Sequence, residues 1–527
     1  MRKPDSHETL ATELPVAAAS EGVHRLFGEG ERRLGQSRHL VGIGVAPALF
    51  LLLWLAPIPG LNEAAQRLLA ILGVVVTLWV TEAIPLPVTA LLGPALCVLA
   101  GLAPARDVFK SFADPIIFLF LGSFLLAEAI FHHGLNRRIA FRILSLKSVG
   151  ESPARLLLAF GCITGFISMW ISNTTATAMM FPVGMSILKE MARRRSLQLG
   201  RDVKPAELQF STALMLMTAF SAAVGGFATP VGAAPNLIGM GMIQKSTNCH
   251  LHFFKWVAFG VPLSLLLLGF LAFYFIRASA AAPDLLQGSS AWIQAEQRKL
   301  GGWTRGEKNV LAVFGLTVAL WLLPGILALT YGAASPASQW MDARLPESMA
   351  ALLGAILLFL MPVDLRKRQF TLGWHEARRI DWGTILLFGG GMALGGLMFS
   401  TGLADWIGHG LATALNASTT FGLVVLFTFI SATVTQVTSN TAAATMSIPV
   451  AIAVANAAGV NPVQPALAAC LASGLGCMLP VSTPPNAIVY GSGCIPVLQM
   501  VKHGFVIMVV GAIAIIAVVM WIVPSVL

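Results

Sequence analysis

Residues 171–180 read ISNTTATAMM and residues 438–447 read TSNTAAATMS. Both decapeptides sit inside long apolar stretches, and both centre on Ser-Asn-Thr: Ser172-Asn173-Thr174 and Ser439-Asn440-Thr441. Burying such polar groups away from water costs several kcal/mol unless they find partners. A chain that places the same tripeptide in two hydrophobic segments has a use for it.

The surrounding composition sets the class. Of 527 residues, 56% are hydrophobic and only 11% are charged, against roughly 25% charged in a soluble domain. Apolar runs of about 20 residues, enough to span a bilayer, recur from Val41 to the C-terminus. The chain reads as an all-α polytopic membrane protein. The net charge of +10 comes from basic loops on one membrane face, so no nucleic-acid partner is expected. The six cysteines show no metal-ligand spacing and read as small packing residues.

Hydropathy windows place eleven spans near 41–57, 68–82, 86–102, 115–133, 209–244, 256–276, 309–330, 347–362, 382–401, 464–496 and 504–526. The stretches 156–188 and 419–457, which carry the tripeptides, are long for one helix and suit two short ones. They read as re-entrant hairpins. With a cytoplasmic N-terminus, only Arg67, Arg106, Lys110, Lys245, Lys255 and Arg344 of the 34 Lys+Arg then fall on the outer side. That asymmetry fixes the orientation in an inner (plasma) membrane, with the C-terminus outside. Full crossings would flip the basic loop 189–207 outward.

A larger duplication encloses the tripeptides. FLFLGSFLLAEAIFHHGL (118–135) matches LLFGGGMALGGLMFSTGL (386–403). TPVGAAPNLIG (229–239) matches LPVSTPPNAIV (479–489). Three spans between the copies make the repeat inverted, a pattern that points to a secondary-transporter site near the midplane. The expected organisation is a disordered cytoplasmic tail (1–40), scaffold helices (41–110) and a first repeat (111–246) with hairpin 153–190 and broken helix 209–244. Connecting helices (247–380), a second repeat (381–497) with hairpin 417–458 and broken helix 464–496, and a final span (498–527) follow. Segments 135–150 and 403–415 read as interfacial helices.

Proline and glycine inside a span free backbone groups, which lipid does not tolerate unless they line a cavity. Freed carbonyls suit a hard cation, and freed N–H groups at a helix start suit an anion. Asn173 and Asn440 offer both an acceptor and a donor. No Lys or Arg lies in any span, so an anionic substrate must be met by dipoles, amides, hydroxyls and co-bound cations. Cation coupling and a small dianion follow. Glu128, near His132 and His133, reads as a structural carboxyl, with proton coupling as the alternative. Glu82 reads as ordering the turn before Pro85.

At these motifs, together with TEAIPLPVTALL (81–92) and MLPVSTPPNAIVYGSG (478–493), the chain resembles the divalent anion:sodium symporter family, over roughly 41–527. The resemblance implies a homodimer, a fixed scaffold and an elevator-like transport domain. It implies one sodium at Ser168, Ser172, Asn173 and Gly232, and a second at Thr435, Thr438, Asn440 and Ser482. Substrate carboxylates are implied at Asn173, Thr174, Ser439, Asn440 and Thr441, with Ala233, Thr483 and Pro484 beside them. The family usually has Ser or Thr, then Pro, after the residue matching Gly232; here stand Ala233-Ala234. A lost hydrogen bond to a charged group costs roughly 1.5–3 kcal/mol, so the substrate is held asymmetrically or differs from a common dicarboxylate.

The expected function is sodium-coupled symport of a C4-dicarboxylate. Sodium-independent exchange and sulfate symport stand as alternatives. No nucleophile–base pair or metal cluster supports an enzyme, and no loop is large enough for a sensor's output domain.

Overall fold

The computed structural model describes residues 29–146, 149, 152–247, 249–278, 289–332, 334–415 and 419–527. The architecture is all-α apart from a two-stranded hairpin at Pro362–Asp364 and Gln369–Phe370. The first helix, Glu29–Leu55, begins inside the segment expected to be a tail. Residues 1–28 lie outside the described residues.

Among the described residues seven helices are long and apolar enough to cross a membrane: those within 63–81, 105–132, 253–278, 305–331, 382–400, 420–437 and 497–526. The pair Pro336–Arg344 and Glu347–Leu360, bent by 57°, makes eight if counted as one. Six of the seven lie on expected spans and one, 420–437, is an arm of the second expected hairpin; of the other expected spans, 41–57 and 86–102 hold apolar helices too short to cross, at 39–55 and 86–99. Stretches 209–244 and 464–496 are interrupted, so neither half reaches full length. Gln209–Gly225 is followed by a 3₁₀ turn at Pro230–Gly232 and then Ala234–Thr247. Val463–Ala472 is separated by an irregular stretch from Pro484–Tyr490.

The element order recurs. Helix Pro115–His132 starts where Asp114 accepts the Ile116 N–H at 3.0 Å. Helix Trp382–Ser400 starts where Asp381 accepts the Thr384 N–H at 3.0 Å. Each ends at a left-handed glycine, Gly134 (φ 68°) and Gly402 (φ 78°), a conformation that glycine adopts without a Cβ penalty. Each is followed by an amphipathic helix, Leu135–Leu144 or Leu403–Leu415. Phe120 meets its own counterpart Phe388, ring centroids 5.3 Å apart.

Both Ser-Asn-Thr segments turn the chain between two helices. Pro153–Ser168 leads to Asn173–Leu199, and Thr420–Val437 leads to Asn440–Ala457. Ser172 caps its helix by accepting the Thr175 N–H, and Ser439 by accepting the Ala442 N–H, each at 3.2 Å. An N-cap serine satisfies a donor that the helix leaves free.

The first pair outruns its expected end at 190. Helix 173–199 carries the basic stretch onward to a left-handed Gly200 (φ 62°). Glu190 bonds both Arg193 and Arg194 at 2.9 Å, one helical turn apart. The Arg193 hydrogen bond, with Arg194 behind it, holds the Glu190 carboxyl down at about 2. Glu82 is left-handed (φ 51°) at the end of helix 63–81, in keeping with a turn before Pro85.

The two repeats cross over each other. Helix 173–199 packs against 484–490 of the second broken helix, and helix 440–457 packs against 234–247 of the first. Cys470 donates its thiol to the Pro235 carbonyl at 3.2 Å across this contact. Each asparagine-led helix start lies beside its own repeat's break, Asn173 against Gly226 and Asn440 against Gly476.

Candidate functional site

Polar atoms gather beneath each Ser-Asn-Thr turn. In the first repeat, one end of the Asn173 amide faces only oxygens: Ser168 Oγ at 2.8 Å, Ala222 O at 3.0 Å and Gly232 O at 3.3 Å. With nitrogen at that end it donates to them. With oxygen there, four oxygens converge, sharing the single Ser168 hydroxyl hydrogen between them. A hard cation holds oxygens at roughly 2.3–2.6 Å, which leaves neighbouring ligands about 3 Å apart. The donor set fits such an ion. Gly226 closes the group: a Cβ added there would lie 2.5 Å from Asn173 Oδ1.

The second repeat builds the same shape. Thr435 Oγ lies 2.7 Å from Asn440 Oδ1 and 2.6 Å from Ser473 O. One hydroxyl proton serves only one of them. Ser482 Oγ reaches Gly476 O at 3.0 Å and Leu479 O at 2.7 Å. A Cβ on Gly476 would lie 2.6 Å from Asn440 Oδ1. Gly476 and Gly226 occupy matching positions.

Each break is braced by an asparagine. Asn236 Nδ2 donates to Gly226 O and Thr229 O, both at 2.8 Å. Asn486 Nδ2 donates to Gly476 O and Leu479 O at 3.0 Å and to Ser482 Oγ at 3.1 Å. Asn236→Leu and Asn486→Leu each remove two hydrogen bonds to carbonyls at a break, at about 0.5–1.5 kcal/mol per bond. The expected result is a melting temperature several degrees lower in detergent for both variants; unchanged melting would show that the braces carry no stability.

Burial sorts the remaining residues. Ser168, Gly232, Thr435, Thr438 and Ser482 are buried. Asn173, Thr174, Ala233, Ser439, Asn440, Thr441 and Thr483 are half-buried, and Ser172 and Pro484 are exposed. The Thr438 hydroxyl turns away from the others, to the Trp79 carbonyl at 3.4 Å. Ser172 pairs with Thr175 Oγ at 2.8 Å.

The sequence match decides the family. The sodium:sulfate symporter transmembrane region matches residues 38–526. The chain belongs to the divalent anion:sodium symporter family. It is a secondary transporter, not an enzyme. The sodium-dependent dicarboxylate transporter SdcS of Staphylococcus saprophyticus is 36% identical over 494 residues, covering 93% of this chain and 92% of that protein. SdcS of Staphylococcus aureus strain USA300 is 35% identical over 493 residues, with the same coverage. The fold also resembles the Alcanivorax borkumensis YdaH transporter, with a TM-score of 0.53, 11% identity, and coverage of 79% of this chain and 86% of that one.

In this symporter the departure at Ala233 is confined to the side chain. Ala233 (φ −145°, ψ 139°) and Thr483 (φ −146°, ψ 148°) have nearly the same backbone. The Thr483 hydroxyl accepts the Asn486 N–H at 3.4 Å; at Ala233 that hydroxyl is absent while the path of the chain is kept.

Sequence reasoning marked the Pro-Asn pairs but gave Asn236 and Asn486 no role, and it missed Gly226, Gly476 and the carbonyls of Ala222 and Ser473. The repeated Pro-Asn at 235–236 and 485–486 was a signal for the asparagines. A glycine ten residues before each of them was the signal for Gly226 and Gly476.

Proposed function

We propose that this chain is a sodium-coupled symporter of a small dianion, a C4-dicarboxylate such as succinate, malate or fumarate. The observation that carries the reading is the pair of acceptor-rich clusters, around Asn173 and Asn440, each under the start of a helix. The proposed sodium ligands are Ser168, Asn173 and Gly232, with Gly226, in one cluster, and Thr435, Asn440 and Ser482, with Gly476, in the other. Ser172 and Thr438 would take part through their backbones.

The half-buried Asn173, Thr174, Ser439, Asn440, Thr441, Thr483 and Ala233, with Pro484, form the proposed substrate cleft. Two helix N-termini there each present about half a positive charge. Two sodium ions beneath them complete the neutralisation of a dianion without any basic side chain. The names of the SdcS relatives agree with this substrate class.

Elevator motion in an inverted repeat, with hairpins that re-enter, is the proposed mechanism. The Phe120–Phe388 meeting of equivalent residues is what a two-fold relation between repeats produces. Both amphipathic helices are anchored at their starts. Arg138 pairs with Glu307 at 2.6 Å and bonds the carbonyls of Leu300, Gly301 and Gly302 at 2.9–3.0 Å. Trp406 bonds Pro59 O at 3.4 Å, and Asn62 bonds Thr401 O at 2.9 Å. Arms held at one end suit a domain that swings from them. A homodimer in the inner membrane, with a cytoplasmic N-terminus and an outer C-terminus, is part of the same reading.

The test is uptake of labelled succinate into proteoliposomes under an inward sodium gradient, with potassium as control. Sodium-dependent uptake blocked by malate and fumarate is expected. Uptake indifferent to sodium, or competed only by sulfate, would overturn the coupling or the substrate respectively.

A further inference from the structure

Lys245, in the last turn of helix 234–247, stands between two cavities. One is a polar vestibule of about 1080 Å³, lined among others by Lys110, Ser111, Asp114 and Gln244. The other is a closer pocket of about 300 Å³, lined by Met242, Met392, Gly395, Gly396, Phe399, Pro449 and Ile452, with Lys245 and Ser246 at its polar end. The smaller pocket lies where helix 382–400 meets helices 234–247 and 440–457.

We propose that this pocket binds a single-tailed amphiphile with an anionic head, carboxylate or phosphate monoester, its head on Lys245 and its tail among Met242, Met392, Phe399, Pro449 and Ile452. Lys245 is exposed along its stem, and its ammonium donates to Ser111 Oγ at 3.1 Å. Among the described residues it forms no ion pair with a carboxylate. Asp114 acts on it only from longer range, and its carboxylate already caps helix 115–132. A cation with no ion-paired carboxylate beside apolar walls favours an anion that carries its own apolar body.

Glycines open the space. A Cβ at Gly395 would meet only Pro449 and Met242, at 3.6 and 3.8 Å, and one at Gly396 only Lys245, at 3.5 Å. The first repeat fills the position of Gly396 with Glu128; the second leaves it empty. An occupant would wedge helix 382–400 against the hairpin. Where the elevator reading holds, it would inhibit uptake without competing with succinate.

Binding itself tests the proposal independently of transport. Isothermal titration calorimetry on the full chain in phosphatidylcholine nanodiscs compares 4-phenylbutyrate and 4-phenylbutyl phosphate with butyrate, inorganic phosphate and 4-phenylbutan-1-ol. Saturable binding of at least one head-plus-tail probe is expected. The head-only and tail-only probes should bind roughly tenfold or more weakly. Preference for the phosphate ester would mark a lipid-type head, and preference for the acid a fatty-acid-type head; both fall within the proposal. Gly396→Leu should abolish binding, and Lys245→Gln should weaken the anionic probes while leaving the alcohol unchanged. Equal binding of the acid and the alcohol, or wild-type binding by Lys245→Gln, would overturn it. Lys245→Gln alters only a side-chain end, so the test stands even where Gly396→Leu fails to fold.

Discussion

Asn173→Ala and Asn440→Ala should each lower sodium-driven succinate uptake by roughly 100-fold or more. Each amide stands at the start of a helix, half-buried, with one end directed into a cluster of oxygens. In the proposed site it touches both the cation and the anion. Each such contact to a charge is worth about 1.5–3 kcal/mol, and every 1.4 kcal/mol is about tenfold. Helix capping is left intact, because Ser172 and Ser439 supply it. Elution and melting of both variants should therefore match the parent protein. Near-normal uptake in both would mean that the Ser-Asn-Thr turns serve packing alone.

Gly226→Ala and Gly476→Ala test the clusters from another direction. No ligand atom is removed; a methyl group is added where none fits. The new Cβ atoms would lie 2.5 Å from Asn173 Oδ1 and 2.6 Å from Asn440 Oδ1. At Gly226 the next neighbours are Ala223 O and the Ala233 Cβ, both at 3.3 Å, and at Gly476 they are Thr483 and the Thr435 carbonyl. Relief comes only by pushing the asparagine out of the cluster. The sodium concentration that half-activates uptake should rise at least about tenfold in each variant, equivalent to about 1.4 kcal/mol of lost cation binding. Gly410→Ala is the control: nothing lies within 4 Å of its added Cβ, and exchanging a mid-helix glycine for alanine should if anything stabilise by about 0.5–1 kcal/mol. Unchanged sodium activation in both cluster variants would remove sodium from these positions.

Much of this was legible from residues alone. Composition is sufficient to identify a membrane chain, because few charged residues and long apolar runs have no other stable solvent. The duplicated Ser-Asn-Thr and Pro-Asn motifs marked both turns and both breaks. Helix ends were less legible. The helix that starts at Asn173 runs on to Leu199 because Glu190 finds Arg193 and Arg194 on its own surface, whereas a hydropathy window stops where the charges begin.

By itself the sequence determined the class and which side chains stand at the start of each asparagine-led helix. Those properties are local: they depend on residue type and spacing along the chain. The tertiary structure decided what those residues face. It packed helix 173–199 against 484–490 and helix 440–457 against 234–247. It supplied the carbonyls of Ala222, Gly232 and Ser473 to the clusters, and it turned the Thr438 hydroxyl to Trp79 instead. Every residue carries a carbonyl, so nothing in the letters marks the few that a break sets free. Only the packing of each hairpin against its own repeat's broken helix aims them at a common point.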